Sequence, residues 1–298
     1  MKSAFGVPDN FSFWRTVYSH GWCSLPPFEV DKKNDQLKRV LQLSNGKMIV
    51  AEISQTSKGK LNIFTEGKIS IKERQDITIQ VKTCLRLDED YSKFYLEAKK
   101  HSHFRWVPKA GAGRLLRSPS VFEDVVKMIC TTNCSWALTE IMVGNLCRKL
   151  GREIDDGRWT FPDPEVIADK TEKFLRKEIR AGYRAPYFLE LSRRIEDGEL
   201  DIESWRTSTL PTDELFQEVR SVKGIGPYAA GNILKLLGRY DYLGIDSWCR
   251  KKFFEIHRNG RVASDKVIEK HYEPFGKWRG LFFWMDVTKQ WYDQKFPF

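Results

Sequence analysis

Two short stretches of this 298-residue chain hold residue types that can do chemistry. The first is Lys223-Gly224-Ile225-Gly226-Pro227-Tyr228. It follows an apolar stripe of Leu215, Phe216, Val219 and Val222 at helical spacing, and it opens a second helical run at Pro227, where a missing N–H costs nothing. Two glycines let the backbone turn sharply and approach a ligand closely. The amides at the start of the second helix, at the positive end of its dipole, then face outward and can hold an anion such as a phosphate. The same spacing also suits an ordinary compact corner between helices. The second stretch, Gly244-Ile245-Asp246-Ser247-Trp248, sets an acid in front of the basic run Cys249-Arg250-Lys251-Lys252. Asp246 reads as a helix N-cap, and backbone amides and the dipole favour the charged form of a capping carboxylate. A charge held there can stabilise a cation as it develops on a bound sugar, so capping and catalysis are compatible roles.

Upstream of these residues the character of the chain changes once. Over residues 36–87 the pattern is strand-like. Val40-Leu41-Gln42-Leu43 and Met48-Ile49-Val50-Ala51-Glu52-Ile53 flank Ser44-Asn45-Gly46-Lys47, a hairpin signal because both turn positions tolerate positive φ. Further strands are expected at 60–64, 68–72 and 77–84, giving a small antiparallel sheet. From residue 119 onward apolar residues recur at helical spacing, as in Val121, Phe122, Val125, Val126 and Ile129, then Ile141, Met142, Leu146 and Leu150. Helix starts are marked by Asp163-Pro164-Glu165 and Pro211-Thr212-Asp213-Glu214. The loop-like stretch 100–114 reads as the connector. The expected fold is α+β, with a small β domain and connector over 1–113 and a helical bundle over 114–298.

A net charge of +10 and an isoelectric point near 9.2 favour a polyanionic partner, although a solvated basic face has the same composition. No apolar run approaches the ~20 residues of a membrane helix, and the first residues, Met1-Lys2-Ser3-Ala4-Phe5-Gly6, are not followed by a secretory apolar core. The expectation is an intracellular monomer, in cytoplasm, nucleoid or nucleus, with no membrane partner. Six cysteines without a Cys-x-x-Cys pair suggest reduced thiols and no metal site. Cys130 and Cys134, one helical turn apart, read as buried thiols rather than half a metal site.

Val222-Lys223-Gly224-Ile225-Gly226 with Pro227-Tyr228-Ala229-Ala230-Gly231-Asn232-Ile233 resembles the hairpin of the helix-hairpin-helix (HhH-GPD) DNA glycosylase superfamily. In that superfamily an aspartate follows the hairpin at a short interval, and Asp246 lies 18 positions after Tyr228. The resemblance implies that Lys223, Gly224, Ile225 and Gly226 bind DNA phosphate. It also implies that Asp246 stabilises the oxocarbenium and orients or deprotonates the attacking water. In bifunctional members a lysine at the position of Tyr228 forms a Schiff base; a phenol cannot, which leaves water attack and release of the free base. Tyr228 lines the base pocket or the core, and Lys223 and Lys235 read as phosphate contacts or exposed side chains.

A second block is similar to the 8-oxoguanine glycosylase branch: Leu115-Leu116-Arg117, then Ile129-Cys130-Thr131-Thr132-Asn133-Cys134-Ser135-Trp136-Ala137, Phe161-Pro162 and Gly182-Tyr183-Arg184-Ala185-Pro186-Tyr187. It implies that Asn133 fills the gap left by a flipped nucleotide, that Tyr183 wedges beside it, and that Arg184 hydrogen-bonds the opposite base. The branch's second arginine falls at Leu138, which cannot donate. Tyr183 and Arg184 taken alone also suit a helix boundary with a surface arginine. Trp136 and Trp284 are candidates for the base pocket, although Trp278 and Trp284 read as core first and as base-stacking residues second. Only Cys249 follows the aspartate, so no iron–sulfur cluster is expected.

The function implied is monofunctional excision of a damaged purine from double-stranded DNA in base excision repair. An alkylated, 3-methyladenine-type base is the first substrate and 8-oxoguanine the alternative. A non-catalytic DNA clamp is the reading from another class. No organic cofactor is needed; a structural monovalent cation on the hairpin carbonyls is compatible with the motif.

Overall fold

A computed structural model of the chain describes residues 1–57, 59–154 and 157–293. The strands are β1 (Lys2–Gly6), β2 (Phe28–Asp31), β3 (Gln36–Gln42), β4 (Met48–Ser57) and β5 (Lys60–Phe64). The longer helices are α1 (Ile71–Cys84), α2 (Ser92–Lys100), α3 (Val121–Thr131), α4 (Trp136–Leu150) and α5 (Ala185–Glu196). They continue with α6 (Thr212–Arg220), α7 (Pro227–Leu236), α8 (Ser247–Arg258), α9 (Asp265–Tyr272) and α10 (Arg279–Val287). No helix among the described residues is long and apolar enough to cross a membrane.

These elements form two compact units, each assembled from two stretches of chain: Met1–Glu89 with Arg114–Glu203, and Asp90–Gly113 with Ser204–Phe298. The expected single boundary between 113 and 114 does not describe this division. The reason is apolar burial. Tyr91, Phe94, Phe104 and Val107 share one core with Phe253, Ile268, Phe282 and Phe283 far along the chain. The expected connector is accordingly structured, with a 3-10 turn at Ser102–Phe104 and a short helix at Trp106–Ala110 that ends at Gly111 with φ +63°.

In the first unit the antiparallel sheet runs in the order β1-β5-β4-β3-β2. The expected hairpin pairs Gln42 with Met48, and Gly46 takes the positive φ of +82° at the turn. The strand expected at 77–84 is replaced by α1, and that expected at 68–72 by irregular chain leading through the N-cap Ser70 into the helix's first turn. Its capping box is local: the Glu73 amide donates to Ser70 Oγ at 3.2 Å and the Ser70 amide to Glu73 Oε2 at 2.6 Å. Ile77, Val81 and Cys84 then bury one helical face, and that face overrides the alternation of Ile77-Thr78-Ile79-Gln80-Val81.

Helix α3 anchors this unit through charges as well as apolar residues. Arg39 on β3 donates to both carboxylate oxygens of Glu123, at 2.8 and 2.5 Å, and Lys127 reaches the same carboxylate at 2.7 Å. All three groups are buried. Burial opposes ionisation of Glu123, but Arg39 and Lys127 outweigh it and hold the carboxyl down to about 2. Helices begin where expected at Pro164 and Thr212, but Asp163 caps without a side-chain hydrogen bond. All six cysteines are free.

Candidate active site

The hairpin lies within the second unit. Helix α6 ends at Arg220, and Val222 and Ile225 are buried on either side of the turn, with the Ile225 amide donating to the Val222 carbonyl at 3.1 Å. Gly224 has φ +89°, a left-handed conformation that favours glycine. Gly226 is the N-cap of α7, exposed, and a Cβ placed on it would meet no atom within 4 Å. Lys223 and Pro227 are also exposed. Two apolar anchors therefore hold the turn from inside, while the start of α7 presents its amides and dipole outward. That is the geometry of an anion site on a helix start.

Asp246 caps the next helix, α8. The Cys249 amide donates to Asp246 Oδ1 at 2.7 Å, which fixes the carboxylate at the helix start. The segment that delivers it, 240–245, is pressed closely between two helices of the same unit. A Cβ at Gly231 on α7 would come within 3.0 Å of the Gly244 backbone, and one at Gly280 on α10 would strike the carbonyls of Tyr240 and Tyr242. Gly244 itself has φ +63°.

Two polar side chains of α7 pin this segment. Asn232 Nδ2 donates to the Tyr228 carbonyl at 2.9 Å and the Gly244 carbonyl at 3.5 Å. Lys235 Nζ donates to the Leu243 carbonyl and, at 3.0 Å, to Asn232 Oδ1. Lys235 is 2% exposed, which overturns the expectation of a phosphate contact or solvated side chain. Helical periodicity carries it to the inner face of α7, where carbonyls satisfy its ammonium. Burial pulls its pKa down to about 8, while the neighbouring Asp246 carboxylate opposes the shift. The Cys249 thiol, raised well above its usual range by burial and by Asp246, stays protonated.

Aromatic rings complete this region. Lys235 Nζ stands 5.8 Å from the centroid of the Trp284 ring. Trp284 lies 6.4 Å from Trp248 and 5.7 Å from Trp291, and those two lie 5.4 Å apart. Trp248, two residues after Asp246, and Trp291 were not singled out from the sequence. A tryptophan flanking the motif aspartate was the signal that could have found the first. Tyr228, at the start of α7, is partly buried. Trp278 stacks 5.4 Å from Tyr240 and serves the core.

Asn133, Trp136, Tyr183 and Arg184 belong to the first unit. Asn133 sits exposed in the turn between α3 and α4 with φ +48°, a left-handed conformation that asparagine tolerates. Its Nδ2 reaches Tyr183 Oη at 3.5 Å, and that hydroxyl donates to the Thr132 carbonyl at 3.2 Å. Tyr183 is 44% exposed. Arg184 is only 3% exposed and donates to the carbonyls of Ile129, at 3.2 Å, and Thr132. Its guanidinium lies 4.4 Å from the Tyr183 ring centroid. In this state Arg184 therefore supports the Asn133 turn at the negative end of α3, and a contact with an opposite base requires those bonds to open. Trp136 is likewise engaged: its Nε1 donates to Ser24 Oγ and Glu140 Oε1, both at 3.1 Å, and its ring fills the space over Gly21.

No family model matches the chain. Over 179 residues, 56% of this chain, it is 25% identical to "Putative DNA-3-methyladenine glycosylase YfjP" of Bacillus subtilis (strain 168). The match takes in 59% of that relative, so the chain spans about three-fifths of its length. Among solved structures, the 3-methyladenine DNA glycosylase of Archaeoglobus fulgidus superposes with a TM-score of 0.78 at 20% identity, over 97% of this chain and 99% of that one. The apo 8-oxoguanine glycosylase/lyase of Clostridium acetobutylicum superposes with a TM-score of 0.75 at 21% identity, over 96% and 95% of the two chains. The fold is that of the helix-hairpin-helix DNA glycosylases.

Proposed function

We propose that this chain is a DNA glycosylase of base excision repair that hydrolyses the N-glycosidic bond of a damaged purine, with an alkylated, 3-methyladenine-type base as its substrate. The observation that carries this reading is Asp246. Its carboxylate is fixed by the Cys249 amide on a segment that Asn232 and Lys235 tie to the second hairpin helix. An acid held this way at the end of a phosphate-binding hairpin has a use in sugar chemistry that a plain clamp lacks.

In the proposed reaction the amides of Gly224 and Gly226 hold a backbone phosphate while the damaged nucleotide is extruded toward the tryptophans beside Asp246. The glycosidic bond breaks and its electron pair leaves with the base. Asp246 Oδ1 keeps its bond from Cys249, and the carboxylate's charge stabilises the cation at C1′. Water adds to C1′ and its proton passes to the carboxylate. Asn133 and Tyr183 of the first unit, exposed and in contact with each other, are its candidates for contact with DNA. The Val222 carbonyl, one hairpin acceptor for a structural monovalent cation, already takes the Ile225 amide and keeps a second lone pair; no step depends on such an ion.

Release without strand cleavage follows from Tyr228 at the position where bifunctional relatives carry lysine, and from the engagement of the buried Lys235 by carbonyls. The words "3-methyladenine" in the names of the Bacillus relative and the Archaeoglobus structure support an alkylated base. The Asn133–Tyr183 pair and the likeness to the Clostridium enzyme favour 8-oxoguanine as the second reading. Duplexes each carrying one lesion, incubated with wild type and Asp246→Asn, test all of this. The expected result is excision of 3-methyladenine or 7-methylguanine by wild type alone, with DNA affinity kept in the variant. Excision of 8-oxoguanine instead selects the second reading, and excision unaffected by Asp246→Asn rejects the mechanism.

A further inference from the structure

Four of the chain's five histidines, His101, His103, His257 and His271, line a single cavity of about 430 Å³ in the second unit, together with Asp286. They come from separate elements: His103 from the turn at Ser102–Phe104, His257 from the last turn of α8, His271 from α9 and Asp286 from α10. No part of the proposed reaction uses them.

Asp286 is the centre of this cluster. It is 1% exposed, and its Oδ1 accepts from His103 Nε2 at 2.6 Å. Its Oδ2 accepts from His257 Nε2 at 2.7 Å and from the Tyr272 hydroxyl at 2.5 Å. The His257 and His271 rings have centroids 4.3 Å apart. One ligand atom from each of His257, His271 and Asp286 lies within 4.8 Å of the other two. A buried carboxylate needs compensating partners, and here two imidazoles and a phenol converge on it. A carboxylate anchor alone also leaves His271 unexplained, because among the described residues it makes no side-chain hydrogen bond and yet turns its imidazole into the cluster beside His257.

We propose that His257, His271 and Asp286, with His103 beside them, form a binding site for one divalent transition-metal ion, Zn²⁺ by the chemistry of its ligands. Imidazole and carboxylate donors suit that ion, and three protein ligands leave a position facing the cavity. Small rotations of the side chains bring the donor atoms to the mutual spacing of roughly 3.3 Å set by tetrahedral Zn–N and Zn–O bonds. His257 then turns a bare Nε2 to the ion and carries its proton on Nδ1, while His103 keeps its Nε2 bond to Oδ1. Tyr272 stays on Oδ2 as the outer partner that orients the carboxylate. The ion joins three consecutive helices, so its effect is on stability.

The test is to strip the full-length protein with a chelator and titrate it with Zn²⁺ by calorimetry and with Co²⁺ by visible absorption. The expected result is one equivalent bound, the bands of four- or five-coordinate Co²⁺ with nitrogen and oxygen ligands, and a melting temperature raised by Zn²⁺. In His271→Ala, at an exposed position, and in His257→Gln, affinity should fall at least tenfold and the thermal shift should vanish. Absence of stoichiometric binding to wild type overturns the proposal whatever the variants do. So do a thiolate charge-transfer band, which puts the ion on cysteines, and undiminished affinity in both variants.

Discussion

The Lys235 ammonium donates to the backbone carbonyl of Leu243, three residues ahead of Asp246. That bond couples the hairpin's second helix to the segment that delivers the carboxylate. Asn232, one turn earlier, makes the parallel bond to Gly244. We read Lys235 as a positioning residue, acting on Asp246 through the backbone between them.

Lys235→Met should therefore slow base excision about 10- to 100-fold, the worth of a hydrogen bond from a charged donor, while DNA affinity stays within twofold. A pH profile separates this from a packing effect. With its folded pKa lowered to about 8, Lys235 is charged below that pH and loses its proton above it, well before an ordinary lysine. Wild-type excision should fall as pH rises through about 8, and the limb should be missing in Lys235→Met. Identical profiles for the two proteins would reject the assignment.

Tyr228→Lys places an amine at the position to which the sequence resemblance assigns a Schiff-base lysine. Borohydride in the presence of lesion-bearing DNA should trap a covalent adduct with this variant and none with wild type. A wild-type adduct mapping to Lys235 by peptide mass would show that the buried amine reaches the sugar.

The two glycines of the hairpin predict different failures. Gly226→Ala has open space around its Cβ and an ordinary φ of −84°, so its melting temperature should match wild type. DNA affinity should nevertheless drop several-fold, because the methyl group obstructs close approach of a phosphate. Gly224→Ala must hold a side chain at φ +89° and should lose roughly 1 kcal/mol or more of stability, measured by urea unfolding.

Acid should loosen the first unit through Glu123. Its folded pKa of about 2 lies below the ordinary 4.5, so the folded state binds fewer protons. The stabilisation is complete above pH 4.5 and is lost as pH falls from there toward 2. Arg39→Met leaves a buried charge short of a partner and should cost about 3–5 kcal/mol at pH 7. It should also flatten the acid limb of the unfolding midpoint.

How much of this was legible in the chain depended on sequence distance. The Asn45-Gly46 hairpin, the glycine turn and the capping position of Asp246 are each decided within a few residues, by allowed φ values and helix-end hydrogen bonds, and each is found where expected. The strands expected over 68–84 failed because Ile77-Thr78-Ile79 alternates like a strand while the Ser70–Glu73 capping box and a buried face commit the segment to helix. The expectation of no metal site rested on cysteine spacing, and it could not register four histidines and an aspartate spread over positions 101–286.

By itself the sequence determined the local chemistry: a turn that only glycine makes cheaply, a carboxylate at a helix start, and a phenol where an amine would allow another reaction. The tertiary structure decided which side chains face inward and what meets them there. It sent Lys235 to carbonyls instead of solvent, spent Arg184 on the end of a helix, and gathered His103, His257 and His271 around Asp286. The physical reason is that burial and charge pairing are set by neighbours distant in the chain, which periodicity and spacing do not register.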